Sequence, residues 1–443
     1  MAYNRIYWAI QALGIAREGS HNGAHPSPAY DTGTSGGVAG TPGTVSQIVN
    51  SIFTPGVQSV GITTTFNLEQ VFEMGQLSIY QDVEEVPDVE VTIERVIDSF
   101  CLLYSRCADY NAANDVADGG PTIAGMQDHK VDLWFSLTSD AADNAGDTKP
   151  TNVVWMSGMY MSSASFTFAT DGNLTESITM VGNHKKWVGA QDGIVPADYM
   201  QGVPSTYVDG DHSTTSYVND TSSEAGIEIG RLQRRQNVRL YSEDTDASTL
   251  TNVHRDLSGM TGTFASNKDN GEGSKAGQPS AGVNGTEARL TSATVSVDFG
   301  REQINVLGQK LPYYRYVTFP VEVTCEIEVL ARGQENVNAL PEAANVTERM
   351  LQFFIEPINE LKAPIANAGT SDTGNAAQGA TASTNAIAHF NLGKKNKLTS
   401  VTWGGGDTGG ANSTITYSYR NFNELRVTSH RPDWNADTPQ LDN

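Results

Sequence analysis

Short stretches of alternating apolar and polar residues recur along the chain, and they predict β-strands. In residues 293–299 the alternate positions are Ala, Val, Val and Phe, while Thr, Ser and Asp lie between them. Residues 60–66 carry the same alternation as Val, Ile, Thr and Phe. Because successive side chains of a strand point to opposite faces, this period predicts strands with one buried face and one solvated face.

A second predicted strand in each half follows a proline. In residues 320–329 the apolar positions alternate at first and then slip by one, which predicts a β-bulge. Gly75 and Gly308 lie between the first and second strands and mark turns whose backbone needs the freedom of glycine. The sequence therefore predicts a strand-turn-strand unit in each half.

Each half also ends in a predicted hairpin. The turn dipeptide Asp171-Gly172 separates two alternating runs in the first half, and the glycine-rich residues 404–410 do so in the second. Helix is scarce. The best candidate is residues 342–354, whose apolar positions fall on one side before a proline, and a shorter helix is predicted at residues 97–104.

An internal repeat is the strongest signal in the chain. Residues 59–76 match residues 292–309 without a gap, sharing Ser, Phe, Glu-Gln and Gly-Gln at equal spacing. After one skipped residue, residues 89–94 match residues 321–326. Further matches join residues 133–137 with 388–392, 163–166 with 400–403, 177–180 with 414–417 and, upstream, 5–10 with 235–240. A repeat of this length predicts a tandem duplication.

The repeat sets the expected domain organisation. We predict a first module over residues 1–195, a linker over 196–230 and a second module over 231–443. The fold class is mainly β, with two tandem β-sandwich or barrel modules, each with a short flanking helix and long loops. The predicted loops are rich in Gly, Ser, Asn and Asp and cover residues 19–45, 108–130, 205–225, 262–285 and 366–384.

Composition narrows the class of protein. With 38% apolar and 18% charged residues, the chain is neither a disordered tail nor a coiled coil. Its net charge of −23 disfavours tight binding of DNA, but it permits DNA to pass without being trapped. No apolar run is long enough to span a bilayer, and residues 1–8 lack the layout of a secretory signal, so we expect synthesis in a cytoplasm and no membrane insertion.

Cysteine usage agrees with a reducing compartment. Cys101, Cys107 and Cys325 are odd in number and form no disulfide framework. Buried thiols are the favoured interpretation. A bridge between Cys101 and Cys107 is the alternative.

Candidate chemistry is sparse. His21 and His25 are the only histidines close together, and residues 115–119 and 269–273 are acidic loops that suggest calcium, yet solvated loops explain all three segments better. No HExxH, CxxC or GxSxG motif occurs. We therefore predict no catalytic residues, no cofactor-binding residues and no metal site, and a protein that is not an enzyme.

Glu69-Gln70 recurs as Glu302-Gln303 at the same strand end, which suggests an acid–base role. Neither glutamate has a catalytic partner nearby in the sequence. We therefore assign both to structural duty, as a salt bridge between subunits or a hydrogen bond in a turn.

Charge differs between the halves within this repeated block. Arg301 and Arg315 of the second half are replaced by Leu68 and Asp82 in the first. The exchange predicts complementary charges between unlike modules. The basic residues 394–397 have little aromatic interleaving and are interpreted as a subunit or solvent contact.

The repeated block resembles phage tail tube proteins. Residues 299–310 and 313–323 look like a strand-turn-strand segment of such subunits, and residues 171–183 are similar to the closing hairpin of the same family. The resemblance implies a tail-tube-like module in each half, a location in the virion tail, and synthesis in the cytoplasm of a host bacterium.

The resemblance also implies how copies assemble. Strands from six modules close a β-barrel ring around a channel for DNA, and rings stack into a tube. Because this chain carries two modules, trimeric rings with pseudo-sixfold symmetry are expected, with hexamers as the alternative. The expected partners are other copies of the chain, the tail terminator, the tape measure and the distal tail or baseplate proteins.

Two other classes of function stay open. Another virion ring component, such as a distal-tail, baseplate or decoration protein, would form single rings that do not polymerise. A carbohydrate-binding or hydrolytic β-sandwich would be monomeric and would need a cleft with converging carboxylates or aromatic side chains.

Overall fold

A computed structural model of the chain describes residues 12–17, 52–53, 56–75, 79–97, 102–107, 122–124, 129–137, 152–189, 232, 234–235, 238–241, 263–264, 287–288, 290–331, 348, 350–355, 388–405 and 412–429. This part of the chain is mainly β, arranged in several sheets whose strands pair antiparallel except at one short parallel pair. None of these sheets closes on itself within the described ranges.

The strands of the first half are Ala12–Arg17 (β1), Ile52–Phe53 (β2), Val57–Thr65 (β3), Leu68–Phe72 (β4), Ile79–Glu84 (β5), Asp88–Val96 (β6), Val131–Leu137 (β7), Asn152–Ala169 (β8), Thr175–Gly182 (β9) and Lys186–Gly189 (β10). One helical turn, Leu103–Arg106 (α1), lies between β6 and β7. The strands of the second half are Val238–Tyr241 (β11), Thr263–Phe264 (β12), Glu287–Ala288 (β13), Leu290–Asp298 (β14), Arg301–Ile304 (β15), Tyr314–Val317 (β16), Glu322–Leu330 (β17), Gln352–Ile355 (β18), Ala388–Asn391 (β19), Lys397–Gly404 (β20), Thr414–Phe422 (β21) and Arg426–Ser429 (β22).

Four strands from each half form one continuous antiparallel run, in the order β3-β6-β9-β8-β14-β17-β21-β20, which we call the long sheet. The halves meet where β8 pairs with β14, and we call this pairing the internal seam. It runs from Ser292 opposite Ala169 to Asp298 opposite Ser163. The long sheet therefore belongs to both halves.

Alternation along each strand separates the two faces of the long sheet. One face is apolar and buried, as the strictly alternating burial of β6, β9 and β17 shows. The other face carries Ser, Thr and Glu. The sequence prediction for residues 293–299 is confirmed, because Ala293, Val295, Val297 and Phe299 are all buried.

Smaller sheets cover the apolar face. β2, β1 and β7 continue onto the first part of β8 in the first half, whereas β11, β18, β19 and β22 form a separate sheet in the second. Aromatic rings join this second-half sheet to the internal seam. Phe166 lies 4.8 Å from Phe390 in an edge-on contact, and Phe168 stacks on Phe353 at 5.2 Å.

Two hairpins extend from the strand ends of the long sheet, one after the edge strand β3 and one after the central strand β14. We call β4 with β5 arm 1, and β15 with β16 arm 2. Gly75 and Gly308 lie in the two turns with φ of 86° and 89°, as the sequence predicted, because only glycine adopts this backbone region without strain.

Two serine–glutamate hydrogen bonds show how the halves correspond. Ser59 donates to Glu94 at 3.1 Å, and Ser292 donates to Glu328 at 3.0 Å. A β-bulge lies beside each serine. β3 is thus equivalent to β14 and β6 to β17, and the pairings that follow make β9 equivalent to β21 and β8 to β20.

The structure corrects three of the sequence matches. The match of residues 133–137 with 388–392 is wrong, because β18 lies between β11 and β19 as β7 lies between β1 and β8, which makes β18 the equivalent of β7 and β19 the equivalent of the start of β8. The matches made at β6 and β9 are each wrong by two residues, since the structural equivalents are Val89 with Val323 and Thr175 with Thr414. A shift of two keeps every apolar residue on the same face, so the sequence pattern does not detect it. The match of residues 163–166 with 400–403 agrees with the strand pairing.

The predicted helix at residues 342–354 is wrong where the structure describes its end. Gln352–Ile355 is a strand that pairs with β11 and β19, and Leu351, Gln352, Phe353 and Ile355 are all buried. The helix predicted at residues 97–104 begins later, as the single turn of α1, because the Ile97 N–H donates to the Leu174 carbonyl instead.

The bulge predicted within residues 320–329 is also misplaced. Burial alternates without a break from Val321 to Val329, and the irregularity lies on the partner strand β14. The hairpin at Asp171-Gly172 is confirmed, since β8 ends just before it and β9 begins just after it.

Several predictions fall outside the described ranges. They include the boundary around residues 190–231, the upstream residues 5–10 and most of the predicted loops, and the module boundaries at 195 and 231 therefore stay predictions. Within the described part, no helix is long and apolar enough to cross a membrane.

Candidate functional site: two open strand edges and two arms

The described residues contain no group of three or more His, Cys, Asp or Glu side chains that could hold a metal ion. His21, His25 and both acidic loops lie outside the described ranges. Cys107 and Cys325 are buried thiols, and burial raises the pKa of Cys325 well above its usual value. His389 is buried on β19, donates from Nε2 to the Gln352 side-chain oxygen at 2.9 Å, and has its pKa lowered to about 3 by burial.

One buried ion pair consists of an arginine and a glutamate, residue types that also occur in active sites, but its contacts stabilise the local fold. Arg95 and Glu176 are fully buried and 3.4 Å apart. The same carboxylate accepts the backbone N–H groups of Leu103 at 2.9 Å and Tyr104 at 2.7 Å. Glu176 therefore holds the start of α1, where backbone donors lack partners within the helix.

The two edge strands of the long sheet repeat the strands that meet at the internal seam. Among the described strands, β3 pairs only with β6 and β20 only with β21, so each presents one open edge. β3 is equivalent to β14, and β20 is equivalent to β8. In the long sheet, β8 and β14 are therefore paired at the centre, whereas their equivalents β20 and β3 lie apart at the two outer edges.

Side-chain burial follows this relation. Phe299, at the end of β14, is 0% exposed, whereas its equivalent Phe66 is 69% exposed. Phe166 on β8 is 0% exposed, whereas its equivalent Trp403 is 48% exposed. Apolar residues that are buried at the internal seam therefore have exposed equivalents at the outer edges, and exposed patches of this kind mark interaction surfaces.

Arm 2 is fastened to the first half at its base. The Arg315 guanidinium donates to the Asp88 carboxylate at 2.6 Å and to the Asn183 side-chain oxygen at 3.0 Å. Gln303 donates to the same Asp88 oxygen at 2.9 Å. The predicted charge complementarity between unlike halves is confirmed at this position.

A second arginine secures the same arm. The Arg301 side chain donates to the Met161 carbonyl at 2.6 Å, and its guanidinium lies 4.9 Å from the centre of the Tyr160 ring. Arm 2 is thus held by side chains from both of its strands.

The electrostatics of Asp88 reflect this contact. Partial burial favours the neutral acid and would raise the pKa of Asp88. Hydrogen bonds from Arg315, Asn67 and Gln303 outweigh that effect, and the pKa of Asp88 is lowered. The carboxylate is therefore charged when it binds arm 2.

Every side chain of arm 1 that the structure describes is exposed. Asp82 lies opposite Gln70 as Arg315 lies opposite Gln303, so Asp82 occupies the position of Arg315. Unlike Arg315, it is exposed. The exposed apolar residues of arm 1 are Leu68, Val71, Phe72, Met74, Tyr80 and Val83.

The repeated glutamate and glutamine have separate contacts in arm 2. Glu302 accepts the Tyr316 hydroxyl at 2.5 Å, which is a hydrogen bond between the strands of the arm, while Gln303 reaches Asp88. These contacts agree with the predicted structural duty.

The polar face of the long sheet is acidic. Its described cations are Arg420 and Lys397, which are paired in register on β21 and β20. The carboxylates on the same face are Asp88, Glu90, Glu94, Asp298, Glu322, Glu326 and Glu328.

Sequence reasoning singled out Arg301 and Arg315 but missed Asp88 and Asn183, which bind Arg315, and Met161 and Tyr160, which bind Arg301. The only available signal was that Asn183 belongs to the segment resembling the closing hairpin of tail tube proteins. In comparisons with known proteins, no family model and no curated protein matches the chain.

Proposed function

We propose that the chain is the major subunit of a phage tail tube, a structural virion protein whose copies join edge to edge into rings. The observation that carries this proposal is the relation between the outer edges and the internal seam. β20 and β3 repeat the strands β8 and β14, which already pair within the chain, and Trp403 and Phe66, the equivalents of the buried Phe166 and Phe299, are exposed.

The internal seam supplies the register for joining copies. Within the chain, Phe166 lies opposite Val295. Replacing each residue by its equivalent places Trp403 of one copy opposite Ile62 of the next. Such pairing would cover Trp403 and would satisfy the backbone N–H and C=O groups of both open edges.

Contact between two different edges is heterologous, and repeated use of one such contact gives a closed ring when its rotation closes. Each copy contributes two similar groups of four strands, so three copies would close a ring with pseudo-sixfold symmetry. A hexamer of chains is the alternative stoichiometry. In this arrangement each module is a tail-tube-like unit of a larger barrel.

The polar face of the long sheet supports a lining for the channel. A ring must bury its apolar face against the flanking sheets, which leaves the acidic face toward the lumen. Carboxylates there would repel the phosphates of passing DNA, so DNA would slide without being trapped.

The arms support stacking of rings rather than a single ring. Met74 and Leu307 lie at equivalent arm tips and are fully exposed. Apolar tips of this kind would dock on an adjacent ring of the same protein. A distal-tail, baseplate or decoration ring would use the same edges but would stop at one ring. The end rings of a tube would meet the tail terminator, the tape measure and the distal tail or baseplate proteins.

Electron microscopy of the purified chain tests the proposal. We expect rings or tubes at high concentration or after nucleation, and Trp403→Asp should prevent them because it places a charge in the covered seam. Trp187→Asp is the matched control, since Trp187 is a similarly exposed tryptophan away from both edges, on β10.

A wild-type chain that stays monomeric at every concentration would contradict the proposal and would favour the carbohydrate-binding or hydrolytic sandwich. Single rings that never stack would favour the other virion ring components. Equal loss of assembly in both tryptophan variants would also count against the edges as the site.

A further inference from the structure

A cluster of four polar side chains holds the base of arm 2. Within the chain, the cation Arg315 on arm 2 donates to the anion Asp88 on β6, and Asn183 and Gln303 complete the cluster. We call the long sheet, with the residues that directly follow its strands, the body. This cluster lies beside the internal seam. Each of its four members has an equivalent residue beside the outer edges.

The equivalents follow from the strand pairing. Gln303 corresponds to Gln70 and Arg315 to Asp82 in arm 1. On the body, Asp88 corresponds to Glu322, and Asn183 corresponds to Phe422. The glutamine is kept, but the charge on the arm is reversed.

A cation is present on the body instead. Arg420 lies 3.7 Å from Glu322, and its guanidinium is 5.7 Å from the centre of the Phe422 ring. Both members of this pair are about half exposed, at 50% and 47%. At the internal seam the position of Arg420 is held by Val181, which carries no charge. At the internal seam the cation lies on the arm, as Arg315, whereas beside the outer edge it lies on the body, as Arg420.

We propose that Asp82 of one copy forms an ion pair with Arg420 of the neighbouring copy, across the contact made by β20 and β3. This inference rests on the proposed ring assembly, in which arm 1 of one copy reaches the second half of the next. Gln70 then hydrogen-bonds Glu322, as Gln303 hydrogen-bonds Asp88.

The reversed charges also select the order of the halves around a ring. Arm 1 carries an anion and is repelled by Asp88 of a first half. Arm 2 carries a cation and is repelled by Arg420 of a second half. Each arm therefore fits only the opposite kind of half, and copies join head to tail with alternating halves.

Charge reversal with rescue tests the pairing. We expect Arg420→Glu to raise the concentration needed for ring formation about tenfold or more, because it places like charges opposite each other. The double variant Asp82→Arg with Arg420→Glu should return to within about threefold of the wild type, because the pair is restored with reversed polarity.

The matched control is Arg235→Glu, which changes the net charge equally at an exposed residue outside both edges. Circular dichroism of each variant separates folding from assembly. Normal assembly of Arg420→Glu, or a folded double variant without rescue, would overturn the ion pair while leaving ring formation standing. Absence of rings from the wild type would instead overturn the proposed function.

Discussion

Two facing residues on a pair of neighbouring strands are charged in the first half, and their equivalents in the second half are apolar. Arg95 faces Glu176 between β6 and β9, whereas the equivalent Val329 faces Ile415 between β17 and β21. The ion pair is fully buried, and its carboxylate also holds α1. The second half thus provides a natural apolar alternative to a buried salt bridge.

Removing one partner of this pair should be far more harmful than replacing both. We expect Glu176→Ile to lower the free energy of unfolding by about 3–5 kcal/mol, because it removes the carboxylate that pairs with the buried guanidinium of Arg95. The double variant Arg95→Val with Glu176→Ile should lose about 1–3 kcal/mol, which reflects the backbone N–H groups of α1 left without their acceptor. Urea unfolding measures both values.

The equivalent apolar pair of the second half, Val329 and Ile415, provides the control. Val329→Arg alone should destabilise, since it buries a charge without a partner. If the double variant at positions 95 and 176 is as unstable as Glu176→Ile, the ion pair contributes nothing beyond the contacts of α1, and the comparison between the halves fails.

At the scale of elements, alternation predicts strands well and their register poorly. The buried positions of β14 were predicted residue by residue, yet the matches at β6 and β9 were wrong by two residues. A strand repeats every two residues, so a sequence alignment shifted by two preserves the whole pattern. Only the partner of each residue, such as Glu94 for Ser59, distinguishes the alternatives.

The error at residues 352–355 has another cause. Apolar residues at Met350, Phe353 and Phe354 satisfy a helical spacing. Leu351, Phe353 and Ile355 satisfy an extended one, and pairing with β19 decides between the two. The contact between Asp88 and Arg315 was not predicted either, because the two residues lie 227 positions apart in the sequence and only the folded chain brings them together. The charge difference between the halves was visible in the sequence, but its meaning depended on that contact.

Cysteine cross-linking tests the register of the outer edges. Ser165 lies opposite Ser296 at the internal seam, and their equivalents are Thr402 and Thr63. In the variant Thr63→Cys with Thr402→Cys, we expect mild oxidation to link neighbouring copies into a ladder that ends at the closed ring. Non-reducing electrophoresis would read the stoichiometry directly, with three chains expected.

A displaced pair controls for chance contact. Thr65→Cys with Thr402→Cys uses the same face but a position two residues away, where directly opposed strands leave the side chains too far apart for a disulfide. Equal yields from both pairs would show that the copies do not share the register of the internal seam.

At the scale of the whole molecule, the described strands concentrate part of the net charge of −23 on one face. The long sheet places Glu90, Glu94, Glu326 and Glu328 on one face, while its other face is apolar. In a ring these carboxylates would face one another across the channel. Their mutual repulsion disfavours assembly, so a function in the channel is the reason we infer for their position.

Charge exchange on this face should change how assembled tubes treat DNA. In the variant Glu90→Lys with Glu326→Lys, we expect tubes that bind double-stranded DNA, with an affinity that falls as salt is raised, because lysines release condensed counterions from phosphates. Wild-type tubes should show no binding. Co-sedimentation of labelled DNA with tubes at several salt concentrations measures the difference.

The control must carry the same change in net charge outside the polar face. Asp171→Lys with Glu348→Lys meets this requirement, since both residues are exposed, one in the hairpin turn after β8 and the other before β18. Binding by the polar-face variant alone would support a lumen lined by that face. Equal binding by both variants would mean that DNA attaches to the outside of the tube, and the long sheet would then have to present its acidic face elsewhere.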